Sequence, residues 1–201
     1  MPRRTASILG AVVVAAAVVA VVALAGGGGK GLVPEAGTGQ VLTVAPGVTV
    51  LPEAARRPLP SFSGQTLDGA SLDLGSLRGR PLVLNFWSSW CGPCRAEQEG
   101  LELASEALTG RGARVVGINI LDDRGAAASY LEEFEVGYPS LFDRPALLPA
   151  RLGALGPVGP PYTLVVDRQG RVAASVSGVL PGTEPHRQAA FLTDLVERVS
   201  R

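Results

Sequence analysis

The longest hydrophobic stretch of the chain lies near its beginning. Residues 8–25 are nearly all Val, Ala and Leu, carry no charge, and follow Arg3 and Arg4. About 20 apolar residues span the hydrocarbon core of a bilayer, so this run and its flanks are long enough to cross one. Apolar residues would surround such a helix on every side, which excludes an amphipathic core helix. We interpret residues 1–29 as an N-terminal membrane anchor or signal segment, with the arginines inside.

Cleavage of this segment is an open alternative. Ala23-Leu24-Ala25 has the small-x-small pattern that a signal peptidase accepts. The apolar run is nevertheless longer than the roughly 7–15 residues of a secretory signal. We favour an uncleaved, single-pass anchor in the cell membrane with the rest of the chain on its extracytoplasmic side; cleavage would make the protein secreted. A lipid anchor is excluded because no Cys lies near Gly26.

A glycine- and proline-rich region follows the apolar run. Residues 30–57 lack helical periodicity and are predicted to be a flexible linker. Residues 40–50 (QVLTVAPGVTV) alternate enough for a short strand, but Pro46 and Gly47 interrupt the alternation.

Residues 58–201 carry the alternating patterns of one folded domain. Phe62–Leu67 and Ala70–Leu74 flank Asp68-Gly69, a turn pair that predicts a β-hairpin. The predicted strands are Pro81–Trp87, Ala113–Ile120, Tyr162–Val166 and Arg171–Ser177, and the predicted helices run from the cysteines to Thr109, over Gly125–Val136 and over Glu184–Val199. This order predicts an α/β fold with a mixed central sheet flanked by helices and an N-terminal β-hairpin extension.

Composition narrows the possible functions. The chain has 18 basic and 18 acidic residues, one His and two Cys. The balanced charge argues against a nucleic-acid partner, which would require a surplus of Lys and Arg. One His and two Cys cannot form a four-ligand zinc site, and two Cys exclude a disulfide-rich secreted scaffold.

The candidate chemistry lies in Trp90-Cys91-Gly92-Pro93-Cys94. Two cysteines separated by two residues stand where the helix after the Pro81–Trp87 strand should begin. The positive end of the helix dipole lowers the pKa of a thiol at that position, so Cys91 should be the nucleophile. Cys94, one turn further in, would then resolve the mixed disulfide. Pro93 fits the first helical turn because that turn needs no N–H donor there.

Residues around the two cysteines argue against three other interpretations of the pair. A structural disulfide across two residues would gain little chain entropy. Covalent haem attachment requires His directly after the second Cys, where Arg95 stands. A peroxidatic cysteine would require Pro in place of Leu84 and Thr in place of Ser88.

Together these motifs give the domain a resemblance to thioredoxin-fold thiol-disulfide oxidoreductases. It is most similar to the membrane-tethered TlpA/ResA/DsbE branch associated with cytochrome c maturation. The resemblance rests on segments in a shared order: 59–62, 77–81, 84–97, 115–119 and 158–167.

The resemblance implies a binding face around the dithiol. In such proteins a cis-proline faces the two cysteines, and the matching residue is Pro161. A cis-proline bends the strand so that neighbouring backbone can pair with an extended substrate. The alternative is that Pro160-Pro161 is only a loop. The residues expected to contact the substrate are Trp90, Gly92, Pro93, Pro160 and Tyr162.

Two departures from the family pattern matter for the mechanism. Asn85 stands where thioredoxins often have a buried Asp that moves protons, and Asn cannot titrate. Asp122 matches an acidic position of this branch, and burial would raise its pKa and let it carry a proton to Cys94. The other interpretation makes Asp122 a solvated loop acid or helix cap. Tyr162 is the second departure, because the family usually has a smaller or polar residue there.

The dipeptide between the cysteines bears on the direction of electron flow. Gly-Pro is the dipeptide of thioredoxin, at about −270 mV, whereas strong oxidants lie near −120 mV. The expectation is an enzyme that reduces disulfides of apocytochrome c or other exported proteins, using the Cys91–Cys94 disulfide and no further cofactor. A membrane electron donor of the CcdA/DsbD type would keep it reduced. The alternatives are a disulfide-forming oxidase and a non-catalytic binding module on the same scaffold.

Overall fold

A computed structural model describes residues 41–200 of the chain. These residues contain ten β-strands, β1 (Leu42–Ala45), β2 (Val48–Val50), β3 (Arg57–Pro58), β4 (Ser63–Gln65), β5 (Ser71–Asp73), β6 (Leu82–Trp87), β7 (Arg114–Ile120), β8 (Ser140–Asp143), β9 (Tyr162–Val166) and β10 (Arg171–Ser177). They also contain four α-helices, α1 (Gly92–Thr109), α2 (Arg124–Glu133), α3 (Leu147–Leu152) and α4 (Pro185–Val199). Within this part of the chain no helix is both long and apolar enough to cross a bilayer. The anchor predicted for residues 1–29 lies outside the described residues.

The main sheet is mixed and has the strand order β1-β2-β10-β9-β6-β7-β8, with β3 also paired to β10. The central strand β6 pairs parallel with β7 and antiparallel with β9. All six residues of β6 are buried, as its continuous apolar pattern predicts for a strand covered on both faces. The predicted α/β fold with a mixed sheet flanked by helices is confirmed.

Two helices cover one face of the sheet. α1 and α4 pack against each other over a core that includes Val83, Leu101 and Leu192. Gly100 permits the close approach, because a Cβ at this position would lie 2.7 Å from the Cβ of Gln188. Both helices occupy the positions that their apolar stripes predicted.

The opposite face carries the predicted hairpin. β4 and β5 form a separate two-stranded sheet, joined through the turn at Gly69, whose φ is +91°. A bridge between Thr66 and Leu141 attaches the hairpin to β8. The predicted N-terminal β-hairpin extension is therefore confirmed.

The predicted linker boundary at residue 57 needs correction. β1 and β2 form a hairpin that joins the main sheet through β10, so the folded domain begins well before residue 58. Pro46 and Gly47, which we interpreted as an interruption, form the turn of this hairpin. Gly47 has a φ of +74°, and a Cβ there would lie 2.5 Å from the Ser177 carbonyl oxygen. Residues 30–40 of the predicted linker lie outside the described residues.

Arg56 fastens this early segment to the end of the domain. Its guanidinium donates hydrogen bonds to the carboxylate of Asp167 (3.0 Å) and to the carbonyl of Val199 (2.9 Å). Asp167 follows β9 and Val199 ends α4. A cation at the C-terminal end of a helix also opposes the negative end of the helix dipole.

Three further differences from the sequence prediction concern short elements. β8 and α3 were not predicted, and α2 ends at Glu133 rather than Val136. α3 has only six residues and contains Pro149. Its start is stabilised by Asp143, whose carboxylate accepts hydrogen bonds from the backbone N–H groups of Leu147 and Leu148.

Candidate active site

The two cysteines lie at the start of α1, just beyond the end of β6. They form a disulfide, with their Cα atoms 5.3 Å apart. Cys91 is the N-cap residue, and its sulfur accepts a hydrogen bond of 3.1 Å from the backbone N–H of Cys94. Pro93 lies in the first helical turn, as predicted. This position gives the Cys91 sulfur both a backbone donor and the positive end of the helix dipole, which stabilise a thiolate.

Both cysteines are more buried than the sequence suggested. Cys91 is 3% exposed and Cys94 is 1% exposed, so the expected contrast between an open and a closed sulfur is small. The neighbours Trp90, Gly92 and Pro93 are all exposed. These three residues are therefore accessible to solvent next to the buried disulfide.

Aromatic side chains pack against the buried side of the disulfide. Trp87 and Tyr130 pack with the two cysteines in one apolar cluster, and their ring centroids are 4.6 Å apart. The Tyr130 hydroxyl donates a hydrogen bond of 3.2 Å to the Cys94 carbonyl. The Arg95 guanidinium lies over the rings of Tyr130 and Phe134. The start of α1 is thus held by packing on α2.

Pro161 stands at the same end of the sheet as the disulfide. Its peptide bond to Pro160 is cis, and Tyr162 directly after it pairs with Phe86 near the end of β6. The Pro161 carbonyl accepts a hydrogen bond of 3.0 Å from the N–H of Gly178. Pro161 is buried, whereas Pro160 and Tyr162 are partly exposed.

Asp122 is buried, as the first of the two interpretations expected, but its carboxylate lies among hydrogen-bond donors. It is 6% exposed and follows the end of β7. Its carboxylate accepts hydrogen bonds from the Ser89 N–H (2.6 Å), the Ser89 hydroxyl (2.8 Å), the Asn119 amide (2.8 Å) and the Asp123 N–H (2.8 Å). It is therefore not a solvated loop acid, and the cap of α2 is Asp123.

The predicted rise in the pKa of Asp122 is wrong. Burial works to raise this pKa, but the hydrogen bonds from Asn119, Ser89 and Asp123 outweigh burial, so the pKa lies below its ordinary value. A carboxylate held ionised in this way is poorly suited to carry a proton at neutral pH. It instead ties the segment before Cys91 to the end of β7.

Glu97 is the titratable group that the sequence interpretation missed. It lies three residues after Cys94 on α1 and is fully buried. Its carboxylate accepts hydrogen bonds from the Asn85 side-chain amide (2.9 Å) and the Leu180 backbone N–H (2.8 Å). Burial raises the pKa of Glu97 to about 7, because these two neutral donors offset only part of the cost of burying the charge.

A signal for Glu97 was present in the sequence. Leu101, Ala104 and Leu108 form the apolar stripe of α1, and Glu97 extends that stripe by one turn. A carboxylate on the buried side of a helix next to a cysteine pair is a candidate for proton exchange. We interpreted Asn85 as leaving the position of a titrating acid vacant. Its side-chain amide instead donates a hydrogen bond to the Glu97 carboxylate.

Four exposed apolar side chains lie on loops at the same end of the sheet as the disulfide. They belong to the loops after β6, β7 and β10 and before β9: Trp90, Leu121, Val158 and Val179. The Trp90 indole N–H donates a hydrogen bond of 3.0 Å to the Leu121 carbonyl. Leu121 has a φ of +52°, which turns the chain so that this carbonyl faces the indole. Exposed apolar patches of this kind are typical of protein-binding surfaces.

Among residues 41–200, His, Cys, Asp and Glu form no group of three or more that could hold a metal ion.

Comparison with known proteins gives concordant results. The sequence model of the AhpC/TSA family matches residues 55–175. The chain is 38% identical over 130 residues to a thiol:disulfide interchange protein DsbE of Yersinia pestis, covering 62% of this chain and 64% of that protein. The aligned region thus spans just under two thirds of that relative's length.

Solved structures agree with the sequence comparison. A DsbF homologue from Corynebacterium diphtheriae has 34% identity and a TM-score of 0.61, covering 65% of this chain and 83% of that one. A secreted thiol-disulfide isomerase from Corynebacterium glutamicum has 30% identity and a TM-score of 0.64, covering 75% of this chain and 92% of that one. The thioredoxin-like fold predicted from the sequence is thereby confirmed.

Proposed function

This chain belongs to the AhpC/TSA family, and from that membership and the site geometry we propose that it is a thiol-disulfide oxidoreductase. The observation that carries the proposal is the position of the Cys91–Cys94 disulfide at the N-terminus of α1, one helical turn before the buried Glu97. A helix N-terminus favours the attacking thiolate, a second cysteine can resolve the mixed disulfide, and a nearby acid can exchange a proton with it.

The reaction follows from the order of the two cysteines. In the reduced protein the Cys91 thiolate attacks one sulfur of a substrate disulfide and expels the other substrate sulfur as a thiolate. Cys94 then attacks the Cys91 sulfur of this mixed disulfide, which releases the second substrate thiol and forms the Cys91–Cys94 disulfide. Two electrons pass from the protein to the substrate.

Glu97 supplies the proton exchange in this proposal. Residues three apart on a helix lie on the same face, so Glu97 shares a helix face with Cys94. A group with a pKa of about 7 can accept the Cys94 proton when that thiol attacks and return a proton to the thiol in the reverse reaction. Asn85 and Leu180 fix the direction of its carboxylate.

The substrate and the direction of electron flow extend the proposal. We place the enzyme outside the cytoplasmic membrane, anchored through residues 8–25, where it reduces disulfides of apocytochrome c or other exported proteins. A membrane donor of the CcdA/DsbD type would reduce it again, and no cofactor beyond the cysteine pair is needed. The exposed apolar residues at the disulfide end of the sheet support a protein substrate, and the Gly92-Pro93 dipeptide supports a reductant.

The test is the reduction potential of the Cys91–Cys94 couple in the full chain, equilibrated with glutathione and with dithiothreitol. A potential at or below about −230 mV is expected for a reductant. A potential between about −120 and −180 mV would contradict the reductase and leave a disulfide-forming oxidase or isomerase. The relative from Corynebacterium glutamicum is itself described as a secreted isomerase, which makes this alternative concrete.

The burial of both cysteines favours a second candidate, a non-catalytic binding module with an inert dithiol. Alkylation of the reduced protein at neutral pH separates the two. An enzyme should show one cysteine, Cys91, that reacts faster than a free thiol because its pKa is lowered. Slow and equal labelling of Cys91 and Cys94 would support the binding module.

A further inference from the structure

A cavity of about 450 Å³ opens beside Tyr162, on the face of the main sheet opposite α1 and α4. One wall is the sheet itself, where Thr43, Thr49 and Ser175 are direct cross-strand neighbours on β1, β2 and β10. The other wall is Leu155, in the turn after α3. The hairpin that the sequence interpretation assigned to a linker thus provides part of the cavity.

The lining of the cavity has a consistent chemistry. Every residue that lines it is uncharged, and the polar groups are mainly hydroxyls of Thr and Ser. A charged side chain that entered would lose its water without meeting a counterion, which is costly. A neutral side chain would exchange water for apolar contacts and hydroxyl partners. The cavity therefore favours an uncharged occupant.

Tyr162 connects the cavity to the disulfide. It directly follows Pro161, and it pairs with Ser177, which also lines the cavity. Its hydroxyl donates a hydrogen bond of 3.2 Å to the Leu155 carbonyl, and its ring meets Phe86 edge-on at 6.2 Å. A substrate chain that passes Pro161 next reaches this ring. Extended chains advance about 3.3 Å per residue, so neighbours of the substrate cysteine come alongside the cavity.

We propose that this cavity is the subsite for an uncharged side chain that adjoins the reactive cysteine of the protein substrate. This subsite rests on the proposed oxidoreductase function and adds a substrate preference to it. Disulfides whose cysteines have neutral neighbours are preferred, and those flanked by Asp, Glu or Lys are rejected. Ser175 and Thr49 are the residues that set this preference.

The test uses the reduced full chain and short synthetic peptides with one central cysteine, held as a mixed disulfide with thionitrobenzoate. The cysteine is flanked on both sides by leucine, by glutamate or by lysine. The thionitrobenzoate disulfide of N-acetylcysteine amide serves as the reference without neighbours. Each turnover oxidises Cys91 and Cys94 to the disulfide and releases the peptide thiol and thionitrobenzoate. Thionitrobenzoate is coloured, so its rate of release is measured by absorbance.

We expect the wild-type chain to react roughly tenfold faster with the leucine peptide than with either charged peptide. Ser175→Leu and Thr49→Leu fill the cavity from two different strands, and each should reduce the ratio of the leucine-peptide rate to the reference rate. Ser71→Leu makes the same exchange at an exposed position of β5 and should keep the wild-type ratio. Melting temperatures confirm that the variants are folded.

Equal wild-type rates with all three peptides would overturn the subsite while the reference reaction still supports the oxidoreductase. This comparison needs no variant, so it holds even if a substitution prevents folding. An unchanged ratio in both folded cavity variants would also overturn it. Failure of the wild-type chain to react with the reference compound would instead reject the oxidoreductase, and the subsite with it.

Discussion

Two buried carboxylates at opposite ends of the main sheet differ in their partners. Glu97, at the disulfide end, receives hydrogen bonds only from the neutral groups of Asn85 and Leu180. Asp167, at the far end of β9, is 1% exposed and lies between the guanidinium groups of Arg56 and Arg171. Both side chains are almost fully buried, but Glu97 has neutral partners and Asp167 has cationic ones.

The pKa values of the two groups diverge accordingly. Burial raises the pKa of Glu97 to about 7. Burial also acts to raise the pKa of Asp167, but hydrogen bonds from the Arg171 backbone, Arg56 and the Arg171 side chain outweigh it, so that pKa is lowered. Burial alone therefore does not decide what a carboxylate does. An acid with charged partners fastens the fold, and one with neutral partners can exchange a proton.

The largest expected effect belongs to the disulfide end. Cys91→Ala should lower the rate of disulfide reduction by more than about a thousandfold, because it removes the nucleophile. Cys94→Ala retains the attacking thiolate and should accumulate a mixed disulfide with the substrate, seen as a mass increase that reductant reverses. If Cys91→Ala retained activity, or if it trapped substrate in place of Cys94→Ala, the assigned roles would be wrong.

Substitutions at the Asp167 end of the sheet should change the stability of the protein and not its activity. Arg56→Ala leaves Asp167 with one cation fewer in a buried site and should lower the free energy of unfolding by about 3 kcal/mol. Arg111→Ala breaks an exposed ion pair with Glu197 and should cost less than about 1 kcal/mol. Urea unfolding followed by tryptophan fluorescence measures both. Equal losses of unfolding free energy in the two variants would show that burial does not strengthen the contribution of the Arg56–Asp167 pair.

The pH dependence of stability provides a finer test of the same contrast. Because the folded pKa of Glu97 is raised to about 7, its protonated form stabilises the fold below pH 4.5, and this contribution is lost as pH rises through 7. The loss amounts to about 3 kcal/mol. Glu97→Gln cannot ionise, so the stability of the variant relative to the wild type should increase by that amount between pH 4.5 and pH 8. Urea unfolding at several pH values measures the difference, and a constant difference would contradict the raised pKa.

The smallest predicted effect concerns the support beneath Cys94. Tyr130→Phe removes the hydroxyl that donates to the Cys94 carbonyl and should cost about 1 kcal/mol of unfolding free energy. It should also change the reduction potential of the cysteine pair. Tyr138→Phe removes a buried hydroxyl that bonds Gln98 and does not bond Cys94. It should cost similar stability and leave the potential unchanged. An equal change in the reduction potential of both variants would show that Tyr130 does not position Cys94.

The sequence predicted the elements whose signals are local. β6 is a continuous apolar run, α4 has an apolar stripe, and Asp68-Gly69 marks the β4–β5 turn. The β1–β2 hairpin was predicted only as one interrupted strand, because β10, the partner of β2, lies more than 120 residues further along the chain and strands of three or four residues have little pattern of their own. Recognition of Pro46-Gly47 as a turn required knowledge of the sheet that it joins.

The site shows the same division. Cys91, Cys94 and Pro161 stand out as motif residues, and the structure brings them to one end of the sheet. The direction of the Asp122 pKa shift depends on donors from Ser89 and Asn119, whose approach no sequence pattern reveals. Glu97 was visible as a charge within an apolar stripe, but only the contact with Asn85 shows what it faces.

The hydrogen bond from Arg56 to the last carbonyl of α4 has a consequence for chain topology. It brings residues 56 and 199 side by side, so the intervening chain forms an almost closed ring. A chain whose distant segments are held together in this way can be cut at an exposed loop without separating them. The exposed turn at Gly110–Gly112, between α1 and β7, offers such an opening. An opening at this turn would leave both the Arg56–Val199 hydrogen bond and the β1–β2 hairpin ahead of it in place.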